Sequence, residues 1–372
     1  MQPIRIIDAD FTLLGEIDTY TSLRWARRWQ KPGEFELRIH PSMQNADCLR
    51  EDSILFKANA TTEAAIIKHR EIGFNDAGIE ELVVKGPLLA GLIGSRITYP
   101  PPEKDHDYMD AHIETIMKHF VHTNMIAPSD SSRRLPGLIN ALDQARGNKI
   151  QFQTRYKQLD EELEKLSVMS GLGWHVRLDI EKQLYVFDVI HGRDLTASQN
   201  NNPPAIFSTD YDNVESQSYI SSAIGSKNVA IVVGQGANEM PKLVTVGQQS
   251  GWQRQETFVD AKDIGSKGEE AETLTEAEME RMLRSRGIER LAELGRAESF
   301  ESKLLANSNL VYRVDYDLGD LVTVVNKSWG IMMDARITEM VEVFEPGGFR
   351  LDATFGNSLP SLIDKIKQTI RR

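Results

Sequence analysis

Short β-rich runs in which apolar and polar positions alternate, each bounded by Gly, Asp, Asn or Pro, fill the first hundred residues and predict strands joined by turns. Ile4, Ile6 and Leu13 open the pattern. Over residues 22–29 a period of two sets Leu23, Trp25, Arg27 and Trp29 on one strand face and Arg24, Ala26 and Arg28 on the other. Lys31-Pro32-Gly33 then reads as a turn, because Pro presets φ at one central position and Gly33 accepts a positive φ at the next. Phe35, Leu37 and Ile39 resume the alternation, and residues 54–56, 64–67 and 82–84 supply further strands.

Beyond Pro100-Pro101-Pro102 the period lengthens to about 3.6. Met109, Ile113, Ile116, Met117 and Phe120 share one helical face, and a second helix over 155–170 carries Tyr156, Leu159, Leu163 and Leu166 until Gly171 and Gly173 end it. Residues 174–178 and 184–189 return to strands. Asn200-Asn201-Asn202-Pro203-Pro204 marks a linker, after which 205–207, 214–220, 229–233 and 243–246 read as strands. A charged stretch over 273–305 predicts helix, opened by Thr273 and Glu276 as a capping box and broken at Gly287 and Gly295. Residues 311–355 are β again, and Leu362, Ile363, Ile366 and Ile370 stripe a short amphipathic helix from Ser358. The expected class is α+β, mainly β. Its units are an N-terminal β domain (1–100), an α+β insertion (101–200), a second β domain split between 201–255 and 308–357, a helical insertion (256–307) and a C-terminal helix (358–372).

Composition changes this picture little but narrows the function. Of 372 residues, 40% are hydrophobic and 26% charged, which is ordinary globular usage. The 43 Lys and Arg against 55 Asp and Glu leave a net charge of −12, so a polyanion is repelled on average and only a local basic patch would hold one. The single Cys48 allows no internal disulfide and has no nucleophile signature around it. No window approaches the ~20 apolar residues of a membrane span, and Arg5, Asp8 and Asp10 stand where a signal peptide would be apolar. The expectation is a chain that does not enter a membrane by itself.

Candidate chemistry is sparse. His106, His112, His119 and His122 cluster, and the spacing of the last pair could bring two imidazoles to one metal. The apolar face of that helix belongs to Ile113, Ile116, Met117 and Phe120, which favours solvated histidines on its wetter sides. Val232-Val233-Gly234-Gln235-Gly236 opens like a dinucleotide fingerprint, yet Glu239 holds the third glycine position and Pro241 stands where a helix should run. Asp315-Tyr316-Asp317-Leu318-Gly319-Asp320 suggests a calcium loop, but Gly319 occupies a ligand position and no downstream Glu is aligned. The sequence holds no nucleophile elbow, phosphate loop or zinc motif.

Landmarks spread in order along the chain carry more weight than any one of these. They are Leu23-Arg24-Trp25-Ala26-Arg27-Arg28-Trp29 with Pro32-Gly33-Glu34-Phe35 after the turn, Val84-Lys85-Gly86 before Arg96-Ile97, and Gly192-Arg193-Asp194-Leu195-Thr196. They continue in Tyr211-Asp212-Asn213-Val214, Lys227-Asn228-Val229-Ala230, Tyr316-Asp317-Leu318-Gly319-Asp320-Leu321-Val322, Arg336-Ile337-Thr338-Glu339 and Thr354-Phe355-Gly356. Together they resemble the ReqiPepy phage tail-protein family of siphophages and prophages over nearly the whole chain.

The resemblance implies a baseplate or tail-tip hub subunit, with two β-barrel-like hub domains per chain. Three chains would form a homotrimer whose six similar barrels match the hexameric tail tube. It implies no catalytic role, cofactor or metal, and a place in the virion tail after synthesis in the host cytoplasm. The implied partners are the tail tube or distal tail protein and other baseplate or receptor-binding proteins, with DNA only as passing cargo. An acidic excess suits a bore through which cargo must slide. The structural or interface candidates are Trp25, Arg27, Arg28, Trp29, Gly33, Phe35, Gly192, Arg193, Asp194, Gly319, Asp320, Trp329, Arg336 and Gly356. For the two tryptophans two readings stand: packing inside a barrel with Arg27 at its rim, or an intersubunit contact of the aromatic-plus-Arg kind. Two other function classes remain as alternatives: a tail-associated hydrolase using Asp315, Asp317 or Glu339 on wall material, and a glycan-binding module using Trp174, Trp252 or Trp329.

Overall fold

Alternation of buried and exposed positions builds the N-terminal strands of the computed structural model, which describes residues 1–235, 241–264, 275–306 and 308–357. The strands are β1 (Ile4–Ile7), β2 (Leu13–Ile17), β3 (Ser22–Arg28), β4 (Glu34–Ile39), β5 (Ile54–Lys57), β6 (Ala64–Ile66), β7 (His69–Phe74) and β8 (Glu80–Pro87). One sheet runs β2-β1-β5-β6, and β3-β4-β8-β7 form part of a second. Ile4, Ile6, Leu23, Trp25, Phe35, Leu37 and Leu55 are buried together in one core. Gly33 is needed for a reason other than the one its turn suggests. It does not take a positive φ; instead a Cβ there would lie 2.2 Å from the carbonyl oxygen of Ala26 and 2.7 Å from Leu88.

The middle unit contains β9 (Asp107–His112), α1 (Ile113–Val121), β10 (Leu138–Asn140), β11 (Lys149–Thr154), α2 (Leu159–Ser170), β12 (Gly173–Asp179) and β13 (Leu184–Ile190). Both helices start later than their apolar stripes suggest. Met109 lies in β9 opposite Phe152, so ladder pairing overrides its helical spacing, and Tyr156 precedes α2 with a left-handed φ of 51°. Ile116, Met117, Phe120, Leu163, Leu166, Trp174 and Phe187 form a core that also takes in Ile7, Ile54 and Phe56 from the first unit.

The remaining elements are β14 (Asp194–Leu195), β15 (Ile206–Phe207), β16 (Val214–Ser222), β17 (Val229–Gln235), β18 (Pro241–Val246), β19 (Glu256–Ala261), α3 (Glu276–Glu293), β20 (Ala297–Leu304), β21 (Leu321–Asn326), β22 (Ile331–Glu345) and β23 (Gly348–Asn357). The long β22 serves two neighbourhoods. Its first half pairs with β21, and its second half pairs with β23 on one edge and β3 on the other, from Glu339 opposite Arg28 to Phe344 opposite Leu23. Where two separate barrel-like domains were expected, this splice joins both β regions in one eleven-stranded sheet. Among the described residues no sheet closes into a barrel. The protein is nonetheless mainly β.

A smaller sheet, β18-β17-β19, carries α3 on one face, with Val232, Val244, Val259, Met282 and Leu283 between them. The stretch 256–307 therefore opens with β19 and ends with β20 rather than being helical throughout. Thr275, two residues beyond the Thr273 expected, caps α3 reciprocally with Glu278, because the same Thr-x-x-Glu spacing recurs there. The helix is not broken at Gly287. A Cβ at that position would lie 2.7 Å from Val246 and 2.9 Å from Val232, so the glycine lets the helix approach the sheet. The C-terminal helix expected over 358–372 lies outside the described residues, as do Gly236 and Glu239.

Candidate functional site

Where β3 leaves the first unit, its inward face presents Trp25, Arg27 and Trp29 in succession. Trp25 stays in the local core, 5.9 Å from Phe35 between ring centroids. Trp29 projects further, into the seam between the middle unit and the second β region. Its Nε1 donates to the carbonyl of Gly171 at 3.0 Å, and its backbone oxygen accepts from the Trp174 N–H at 3.3 Å. Two glycines admit the ring: a Cβ on Gly173 would lie 2.5 Å from it and one on Gly319 2.0 Å. The Arg336 guanidinium sits 5.8 Å from the ring centroid and donates to the Gly319 carbonyl at 2.5 Å. A Cβ on Gly192 would lie 1.7 Å from that same oxygen. Beside it, Arg193 donates through its backbone N–H (2.8 Å) and Nη2 (2.7 Å) to the carboxylate of Asp320, which also accepts from the Asp317 N–H at 2.8 Å. Trp29, Gly192, Arg193, Gly319, Asp320 and Arg336, drawn from separate stretches of sequence, thus converge around one indole.

One step back along β3, Arg27 enters a balanced ion cluster of three cations and three carboxylates. Its Nε lies 2.9 Å from Glu63, and its Nη1 lies 2.6 Å from Asp317 and 2.7 Å from the Tyr312 hydroxyl. Arg313 reaches Glu63 at 2.9 Å and Glu342 at 2.6 Å, and Lys57, itself almost fully buried, pairs with Glu342. Burial alone would raise the Glu63 carboxyl, but Arg27, Arg313 and Lys57 together hold it down at about 2. Burial depresses the Lys57 ammonium despite its two carboxylate neighbours. It also lowers the nearby His175 to about 4. Because each cluster charge is answered by an opposite one, none is left as a free base or nucleophile. Such a cluster specifies how parts meet more than it adds stability.

The comparisons agree with this architecture. Over residues 3–357 the sequence matches the model of the siphovirus ReqiPepy6 Gp37-like protein family. The chain belongs to this family. No curated protein matches it. Three solved structures share the fold of this Gp37-like phage tail protein. The 43 kDa tail protein of prophage MuSo2 from Shewanella oneidensis is 10% identical, with 95% of this chain and 98% of that one covered at a TM-score of 0.57. The tail protein from Neisseria meningitidis MC58 is 12% identical, with 96% and 97% covered at 0.56. Prophage tail protein gp18 from Listeria monocytogenes EGD-e is 13% identical, with 100% and 99% covered at 0.53.

Other candidate residues of the Gp37-like chain fall outside the junction. Arg28 bridges Glu339 (2.8 Å) and Glu34 (2.7 Å) across the β3–β22 seam. Asp194 closes its own turn by accepting from Thr196. Gly356, at φ 82°, makes room for the Glu298 carbonyl. Trp329 is half exposed and stacks on Phe300. Neither Trp25 nor Trp29 keeps an open face, because this chain's own residues cover both; they pack internally rather than offering an intersubunit contact. Arg27 likewise turns into the ion cluster instead of sitting at a rim.

The acids of the hydrolase reading are occupied. Asp317 serves Arg27, Glu339 serves Arg28, and Asp315 accepts from the Val311 N–H at 2.7 Å. Trp174 is buried, whereas Trp252 is fully exposed. His119 bonds Asp107 at 2.8 Å and His112 bonds the Gly147 carbonyl at 2.7 Å. Lys57, Glu63, Tyr312, Arg313 and Glu342 escaped the sequence reading, since their partners lie in distant stretches. The one local signal is Lys57 directly after the apolar run Ile54-Leu55-Phe56.

Proposed function

We propose that this Gp37-like protein is a structural baseplate or tail-tip hub subunit. It associates as a homotrimer into a ring that closes the tail tube and anchors distal baseplate or receptor-binding proteins. The observation that carries this reading is the fold likeness, extending over 95% or more of the chain, to three proteins named as tail proteins, two of them from prophages. The internal chemistry supports it: the tryptophan pin and the ion cluster are placed to hold three units in one body, as a part under mechanical load requires. Of the acids that would serve a hydrolase, Asp317 and Glu339 are engaged by arginines and Asp315 by the Val311 N–H. A net charge of −12 suits a ring through which DNA passes unbound.

The test is molar mass by light scattering across a concentration series, alone and with purified tail tube. A mass three times that of the chain is expected. A monomer under both conditions would overturn the ring, and release of soluble fragments from purified cell wall, abolished by Glu339→Gln, would assign a hydrolase instead.

A further inference from the structure

A cleft of about 460 Å³ separates the middle unit from the small sheet and α3. Its acidic groups are paired: Lys165 meets Glu162 at 2.7 Å and Glu289 at 3.2 Å, and Arg286 meets Asp263 at 3.0 Å. Its rim differs. Among the described residues, Arg155 and Lys157 are exposed and have no carboxylate partner. From this rim a strip of rings and guanidinium groups continues outward. Tyr156 packs edge-on against Tyr99 at 5.3 Å and 73°, Arg155 lies 5.5 Å from the Tyr156 ring centroid, and Arg133 lies 5.1 Å from that of Tyr99. Arg96 donates to the backbone carbonyl of Arg133 at 2.8 Å, which brings another guanidinium to the strip.

Two features separate this strip from an ordinary polar surface. Both tyrosines stay 52% exposed, although burying such rings is among the larger gains open to a fold. Tyr156 also holds its ring there from a left-handed backbone, a conformation unfavourable for a bulky side chain and found where the surroundings or a function require it. Tyrosine and arginine are the residue types that dominate protein contact energetics, and a guanidinium stacked on a ring still presents its fork to a carboxylate.

We propose that this strip docks an acidic segment of a neighbouring protein, whose carboxylates engage Arg155 and Lys157 while the tyrosine rings form an apolar floor; Arg133, whose Nη2 donates to the Ile97 carbonyl at 2.6 Å, braces Tyr99 from the side. A single-stranded nucleic acid is the lesser fit. Stacking of bases between rings needs both faces open, and here one guanidinium already lies by each ring, 5.1 and 5.5 Å from its centroid. A long polyanion also meets the repulsion of a chain at −12. The inference does not rest on the ring-forming reading, because a monomer presents the same strip.

The experiment is fluorescence anisotropy of the full chain with two labelled probes, a decaglutamate peptide and a ten-nucleotide oligothymidylate, at low and physiological salt. The peptide is expected to bind the more tightly, with an affinity that falls as salt rises. Arg155→Glu with Lys157→Glu is expected to weaken it at least about tenfold, as loss of a contact centre does, while Lys182→Glu on the β12–β13 turn leaves it unchanged. Tyr156→Gly, which suits the left-handed backbone, is expected to weaken binding without lowering the melting temperature. Tighter binding of the oligonucleotide, no binding of the peptide, or a Tyr156→Gly variant that loses stability yet binds normally would each overturn the proposal.

Discussion

Glu63 and His175 answer burial in opposite ways, and the difference should be visible as acid sensitivity. His175 stays neutral in the fold, with its Nε2 buried and unbonded and its pKa lowered to about 4, mainly by burial. As pH falls below the ordinary value near 6.5, the unfolded chain takes up a proton that the folded chain refuses, so stability declines until about pH 4. Glu63 is held at about 2, its raising by burial outweighed by three cations. Its contribution is complete above the ordinary carboxyl value and fades as pH falls towards 2. Each shift corresponds to about 3 kcal/mol. Urea unfolding across a pH series should show two successive losses, and His175→Gln should flatten the stretch between about pH 6.5 and 4 while leaving the lower one. The same slope in both proteins would remove His175 from the account. Neither residue was legible beforehand, because a buried charge is defined by partners distant in the chain. Trp25 and Trp29 were visible as a pair on one face through their period of two, but that period could not tell an internal pin from an interface.

Elements follow from sequence where the pattern is local and depart from it where a neighbour decides. The strands of the first unit follow their alternation. Gly287, in contrast, reads as a helix breaker by propensity, yet α3 runs through it because Val232 and Val246 need the space of a side chain there. The consequence inverts a general rule. In an isolated helix, Gly→Ala gains about 1 kcal/mol, but here the added methyl meets two valine side chains at 2.7 and 2.9 Å. Overpacking costs about 1–3 kcal/mol. Gly287→Ala is therefore expected to destabilise the small sheet-and-helix unit by about 1 kcal/mol net. Hydrogen exchange should quicken for amides of α3 and β17 and stay unchanged in β3 and β4. Slower exchange in α3 would mean that the valines yield and helix propensity wins. Met109 and Tyr156 teach the same lesson from the other side: each has helical spacing, and each is claimed by a strand or a strained turn.

For the whole molecule the question is whether three units behave as one. β22 shares its ladder with β3, the middle core takes residues from β1 and β5, and Trp29 fills the seam where all three units meet. Contacts that cross unit boundaries in this way should make unfolding a single event, with tryptophan fluorescence and far-UV circular dichroism changing together. Gly319→Ala tests the pin directly. At φ 91° the new methyl would lie 2.0 Å from the Trp29 ring, so the indole must leave its slot. The expected loss approaches that of deleting a buried tryptophan, about 3–5 kcal/mol, and the two probes should then report separate transitions as the units come apart. Gly330→Ala supplies the control. It also sits at positive φ, 66°, but has nothing within 4 Å of the added methyl. It carries backbone strain alone, of about 1 kcal/mol, and should keep the transition single. If both variants unfold alike, the strain of the left-handed backbone is what matters and Trp29 does not join the units; if only Gly319→Ala divides the transition, the indole is the residue through which the tail protein acts as one body.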